Sequence, residues 1–245
     1  MVSSGGPARS SAPVRTIRPV RSSEPAGALP VDLELVLAVD ASYSMGQGER
    51  LLQVQGYVDA LRHPELVALV ERGPLGRIAL AYLEWAGPEV QRVLVPWTLI
   101  EDEASARRFA DALEATPVDS HNSVTGLSDA LLFAAGMFEE NGFAGDRRVI
   151  DISGDGVNNV GPETRKVRDT VVRRGVTING LPILLRGRMY REGRGIDVEE
   201  FYRSSVIGGD GAFAIAVYDG AAFAHSIRSK LMREIAQGLP NRPGA

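Results

Sequence analysis

Along the chain, unbroken apolar runs alternate with stretches whose apolar positions recur every three or four residues. "LELVLAVD", Leu33 to Asp40, is the near-continuous apolar run of a strand buried on both faces. "ERLLQVQGYVDALRHPELVALVERG" has helical spacing, broken at His63-Pro64. "GRIALAYLEWAG" and "QRVLVPWTLI" are two strand-like runs separated by a short turn containing Gly87 and Pro88, which predicts a hairpin. "DEASARRFADALEA" and "SVTGLSDALLFAAGMFEEN" read as helices, the second stopping near Gly142. "RRVIDISGDG" is a second buried strand, and "GPETRKVRDTVVRRG" is a helix with Pro162 near its start and Gly175 after its end. "VTINGLPIL" predicts a strand, "DVEEFYRSSV" a short helix, "GAFAIAVYDG" a strand and "AAFAHSIRSKLMREIAQG" a closing helix.

Strands alternating with helices predict an α/β fold of three layers, a mostly parallel sheet covered on both faces. The crossovers are expected to be right-handed. We expect six strands in the order 3-2-1-4-5-6, with Gln91 to Leu99 as an antiparallel edge strand. In open sheets of this kind, ligands bind beyond the carboxyl ends of the strands, where the strand order reverses. Two of the strands end on acids there, Asp40 and Asp155. If the strands are neighbours, both carboxylates share one rim.

Residues 1–30 break the pattern. They are rich in Ser, Pro, Gly and Arg, contain one acid and have no hydrophobic period. Such a segment buries too little surface to offset its ordering entropy, so a disordered tail is expected. It is Arg- and Ser-rich, as transit peptides are, and lacks the apolar core of a secretory signal. The folded domain is expected over 31–238, with 239–245 as a short C-terminal tail.

Composition narrows the chemistry. With 245 residues, 44% of them hydrophobic, the chain is long enough for one large core. The net charge is −4 and the basic residues are scattered, so no basic stripe points to nucleic acid. There are no cysteines, which excludes disulfides and thiolate sites. No apolar run approaches the roughly 20 residues of a transmembrane segment.

The candidate chemistry follows β-strand ends. In "DASYS", Asp40 is followed by hydroxyls at Ser42 and Ser44, three oxygen donors from one turn. Hard divalent cations take oxygen donors, and Mg²⁺ keeps several waters among them. Asp155 offers a second carboxylate, and Thr125, just before a helix, a third segment. Two carboxylates and three neutral hydroxyls only cancel the charge of a divalent ion, which leaves the metal electrophilic toward an outside acid. Each residue also has a simpler role open to it, since Ser and Thr are favoured helix N-caps.

At these residues the sequence resembles the von Willebrand factor type A domain, whose metal-ion-dependent adhesion site has the pattern D-x-S-x-S, a distant T and a distant D. Asp40, Ser42 and Ser44 match the first part, Thr125 in "SVTGLSDAL" the second and Asp155 in "SGDG" the third. The likeness runs from about Val31 to Gln237, and the wider run of motifs looks like a bacterial branch of that superfamily. Many members carry Gly-Gly before the Thr; here Asn122, Ser123 and Val124 stand there, which leaves Ser123 as an alternative ligand. The resemblance implies a Rossmann-like sheet and a bound Mg²⁺, Mn²⁺ or Ca²⁺. It also implies a protein partner that supplies an Asp or Glu carboxylate to the metal, and a location in the cell envelope or outside, whereas the missing signal core leans toward the cytoplasm or toward a mis-set start of the sequence.

Asp151, mid-strand in "VIDIS", is expected to give structural support or to act behind the metal ligands. Asn158 sits in a turn and has the same two readings. His63, His121 and His225 lie in separate contexts without ligand spacing. The alternative to a binding module is a metal-dependent hydrolase or phosphatase using the strand-end aspartates. Phosphatases of the haloacid-dehalogenase type place a second Asp two residues after the first as general acid, and here that position is Ser42. No G-x-S-x-G elbow, P-loop or G-x-G-x-x-G is present. A non-enzymatic module is therefore the expectation.

Overall fold

A computed structural model describes residues 27–118, 124–185 and 197–239. The chain runs β1 (Leu29–Asp40), α1 (Gln47–Leu61), α2 (Pro64–Glu71), β2 (Ile78–Trp85), β3 (Gln91–Ile100) and α3 (Glu103–Glu114). It continues with α4 (Leu127–Gly136), β4 (Phe143–Gly154), α5 (Thr164–Arg173), β5 (Val176–Pro182), α6 (Val198–Phe201) and α7 (Phe223–Ala236). A π-helical turn, Tyr202–Val206, extends α6.

The sheet has the order β3-β2-β1-β4-β5. β1 pairs in parallel with both β2 and β4, and β4 in parallel with β5. The hairpin expected from the sequence is present, and it makes β3 the antiparallel edge. The chain breaks between α1 and α2 at His63-Pro64, where the His63 ring accepts a hydrogen bond from the Glu65 amide and Pro64 takes the first helical position.

The sheet has five strands rather than the expected six. The run "GAFAIAVYDG" does lie beside β5, but it joins it only at two isolated bridges, Gly180 with Ala214 and Ile183 with Val217. The reason is local. The amides of Gly180 and Leu184 donate outward to the Phe213 and Val217 carbonyls. Pro182 stands between them and has no N–H to give, so the ladder is interrupted at its middle. A second proline, Pro96, sits within β3 at the opposite edge.

Alternation along β1 splits the core in two. Leu33, Leu35, Leu37 and Val39 face α1, α2, α3 and α7. Val36 and Ala38 face α4, α5 and the α6 region. All of these side chains are buried, each contributing roughly 1.5–3 kcal/mol for the larger ones. Glu34, on the second face, is buried too, and accepts hydrogen bonds from the Gly145 amide and Asn141 and pairs with Arg148. This two-sided packing fixes the strand ends, and with them the carboxyl rim.

Candidate metal centre

β1 and β4 are neighbours, so Asp40 and Asp155 meet at the rim as the sequence predicts. Asp40 closes β1 and is wholly buried. Its Oδ1 accepts a 2.7 Å hydrogen bond from the Ser42 amide, which bends the chain back over the strand end. Ser42 Oγ lies 3.2 Å from Ser44 Oγ, and Ser44 Oγ donates to Asp155 Oδ1 at 2.7 Å. Four of the five predicted ligands are thus linked by hydrogen bonds, Asp40 to Ser42 through the Ser42 amide and the rest through side-chain oxygens.

Thr125 is brought to the same rim from a different direction. It is buried, and its Oγ1 lies 3.7 Å from where a Cβ on Gly156 would stand, next to Asp155. Asn159 holds it there: the Thr125 amide donates to Asn159 Oδ1, and the Asn159 amide donates to the Thr125 carbonyl, each at 3.0 Å. The next residue, Gly126, donates to the Ala86 carbonyl at the end of β2, with no room for a side chain between them. The sequence carries no signal for this role of Asn159, because a bond between two distant loops leaves no local pattern.

The other predicted residues separate. Asn158 accepts from the Ser128 amide in the first turn of α4 and donates to the Val160 and Pro162 carbonyls, so it ties the Asp155 loop to that helix. Ser123 lies outside the described residues, as does His121. Asp151 points into the core below the rim. It pairs with Lys230 at 2.5 Å, and Lys230 also reaches Glu234 at 2.5 Å; all three are buried. Asn179 donates to Glu234 and Tyr57 donates to Asp151 at 3.5 Å, completing a polar cluster under α7. Lys230 and Glu234 carried no signal in the sequence beyond two charges at helical spacing, which usually mark a solvated face.

The electrostatics favour a cation. Burial, together with the neighbouring Asp155 charge, pushes the Asp40 carboxyl up to about 7. The hydrogen bonds from Ser42 and the Asp155 amide offset only part of this. Asp40 Oδ2 is buried and has no hydrogen-bond partner among the described residues. An orphaned anionic oxygen beside a second carboxylate and three hydroxyls fits a hard divalent ion. Among the described residues no group of three His, Asp or Glu side chains gathers anywhere. A metal held here therefore leans on neutral oxygens. Exposed Tyr43 and Val124 stand at the rim, and a cleft of about 550 Å³ lined by Asn158, Asn159, Arg165, Phe201 and Ser205 opens beside it.

The three-layer α/β sandwich of this strand order has a von Willebrand factor type A-like fold. The chain belongs to the family described as "Protein of unknown function (DUF1194)", whose model matches residues 30–239. No curated protein matches it. Among solved structures, the pilus adhesin SpaC from Lactobacillus rhamnosus GG in its open conformation is similar at 12% identity with a TM-score of 0.58, over 84% of this chain and 30% of that one. Proximal thread matrix protein 1 from the mussel byssus, solved with a zinc-occupied metal-ion-dependent adhesion motif, is 15% identical with a TM-score of 0.54, over 82% of this chain and 46% of that one. A von Willebrand factor type A protein from Catenulispora acidiphila is 13% identical with a TM-score of 0.54, over 84% and 43%. The chain thus spans less than half the length of each of these three, and at such identities the likeness is one of fold.

Proposed function

We propose that the domain is a protein-binding module that works through a divalent cation, Mg²⁺ or Mn²⁺, with Ca²⁺ as the larger option. The observation that carries this reading is the hydrogen-bonded run from buried Asp40 through Ser42 and Ser44 to Asp155, with Asp40 Oδ2 left without a hydrogen-bond partner among the described residues. Ser42, Ser44 and Thr125 would hold the ion through their hydroxyls, and Asp40 and Asp155 would hold it partly through water. With so few charged ligands the ion keeps its appetite for an anion, and an Asp or Glu of a partner protein supplies one. The adhesin and matrix-protein neighbours support an interaction role.

Titration calorimetry with Mn²⁺ and Mg²⁺ on the wild type and on Asp40→Ala tests the site. Binding is expected in the wild type and not in the variant, and equal binding in both overturns the assignment. Turnover of a generic phosphate ester by the domain alone, abolished in Asp40→Asn, would overturn the binding-module reading in favour of hydrolysis.

A further inference from the structure

Tyr202 lies against the same carboxylate from inside the protein. It is fully buried and opens the π-helical turn after α6. Single π turns recur at functional sites. The ring crosses the sheet over glycines of two neighbouring strands. A Cβ on Gly180 of β5 would come within 2.6 Å of Tyr202 Cδ1, and a Cβ on Gly154 of β4 within 3.0 Å of its Oη. That same point on Gly154 lies 2.7 Å from Asp40 Oδ2. The two glycines therefore form a lane that only an absence of side chains leaves open, and the phenol hydroxyl ends beside Asp40.

Neither Tyr202 Oη nor Asp40 Oδ2 has a hydrogen-bond partner among the described residues, although both are buried. Buried polar groups are almost always satisfied by protein or ordered water. A phenol is a donor and a carboxylate oxygen an acceptor, and both oxygens stand over the same face of Gly154, close to each other. A water bridging them would have two partners, the fewest a buried water takes.

We propose that Tyr202 is a positioning residue for the metal centre: its hydroxyl, through one water shared with Asp40 Oδ2, fixes the orientation of that carboxylate. Asp40 Oδ1 is held by the Ser42 amide and Oδ2 by this link, so the group cannot rotate away from the rim. The assignment rests on the metal reading for its purpose, but the Tyr202–Asp40 coupling itself exists without any metal. A tyrosine that merely fills the core would show no such coupling.

The test is a double-mutant cycle on the full metal-free chain, with Tyr202→Phe, Asp40→Asn and the pair, read by urea unfolding. Both changes keep the side-chain shape, so the fold is expected to survive. The two effects are expected to be non-additive by about tenfold in the unfolding equilibrium constant. In parallel, Tyr202→Phe is expected to weaken Mn²⁺ binding about tenfold, the size typical of residues that orient metal ligands. Gly154→Ala, whose methyl would press on both Asp40 Oδ2 and Tyr202 Oη, is expected to weaken it likewise. Additive stability effects overturn the proposal, whatever the metal result. A non-additive cycle in a protein that binds no Mn²⁺ supports the Tyr202–Asp40 link and overturns the metal reading alone.

Discussion

Ser44 and Asp155, 111 positions apart, are joined by a 2.7 Å hydrogen bond across the rim of the sheet. The bond exists because β1 and β4 are parallel neighbours that end at the same level. It places a hydroxyl donor against a carboxylate acceptor, a charge-assisted hydrogen bond.

Removing that carboxylate separates binding from folding. Asp155 is only half-buried, so Asp155→Ala is expected to change stability by no more than about 1 kcal/mol. Mn²⁺ binding by calorimetry is expected to disappear. Retained affinity would show that the ion, if any, sits elsewhere.

Thr125 should depend on its tether. Asn159→Ala removes the side-chain acceptor of the Thr125 amide, while the reverse bond from the Asn159 amide remains. We expect Mn²⁺ affinity to fall about tenfold with little change in melting temperature. An unchanged affinity would mean that the backbone bonds alone, from the Asn159 amide and from Gly126 to Ala86, place Thr125.

The pH dependence has a definite sign. The folded Asp40 carboxyl titrates near 7, far above its ordinary 3.8. Its proton therefore stabilises the metal-free fold fully below about pH 4, and that contribution is lost as pH rises through 7. Glu234, also raised to about 7 by burial and Asp151, acts in the same direction but lies in the core under α7. A cation replaces the proton at Asp40 only. The rise in melting temperature on adding Mg²⁺ is thus expected to be larger at about pH 8 than at about pH 5.5. A metal-induced shift that is flat with pH would contradict the role given to Asp40.

The buried cluster under α7 makes a separate prediction about stability. Lys230→Met leaves Asp151 and Glu234 facing each other in the core without their cation. Losing one member of a buried ion pair typically costs about 3–5 kcal/mol. Urea unfolding is expected to show a loss of that order, and a change below about 1 kcal/mol would mean that water reaches the cluster.

The sequence made the parallel frame and the main rim residues readable for a physical reason. Apolar runs buried on both faces have few alternatives, and a polar turn directly after such a run marks a strand end. Asp40, Ser42, Ser44 and Asp155 all lie in such turns. What stayed hidden depends on contacts between distant segments. Asp151 stood out as an acid in a buried strand, but its partner Lys230 looked like any helix charge. Tyr202 was part of a run read simply as a short helix, because nothing in "EFYRSS" announces a π turn or two glycines waiting on other strands. The sixth strand failed on one residue. Its own composition was suitable, and the missing donor belonged to Pro182 on the strand beside it.

Proline at each side of the sheet has a consequence for how copies of this domain meet. Pro96 lies within edge strand β3, and on the other flank Pro182 interrupts the ladder between β5 and the run that covers it, so neither flank is a long regular ladder on which another chain could extend the sheet. Crowded molecules are thereby discouraged from zipping together edge to edge into fibres.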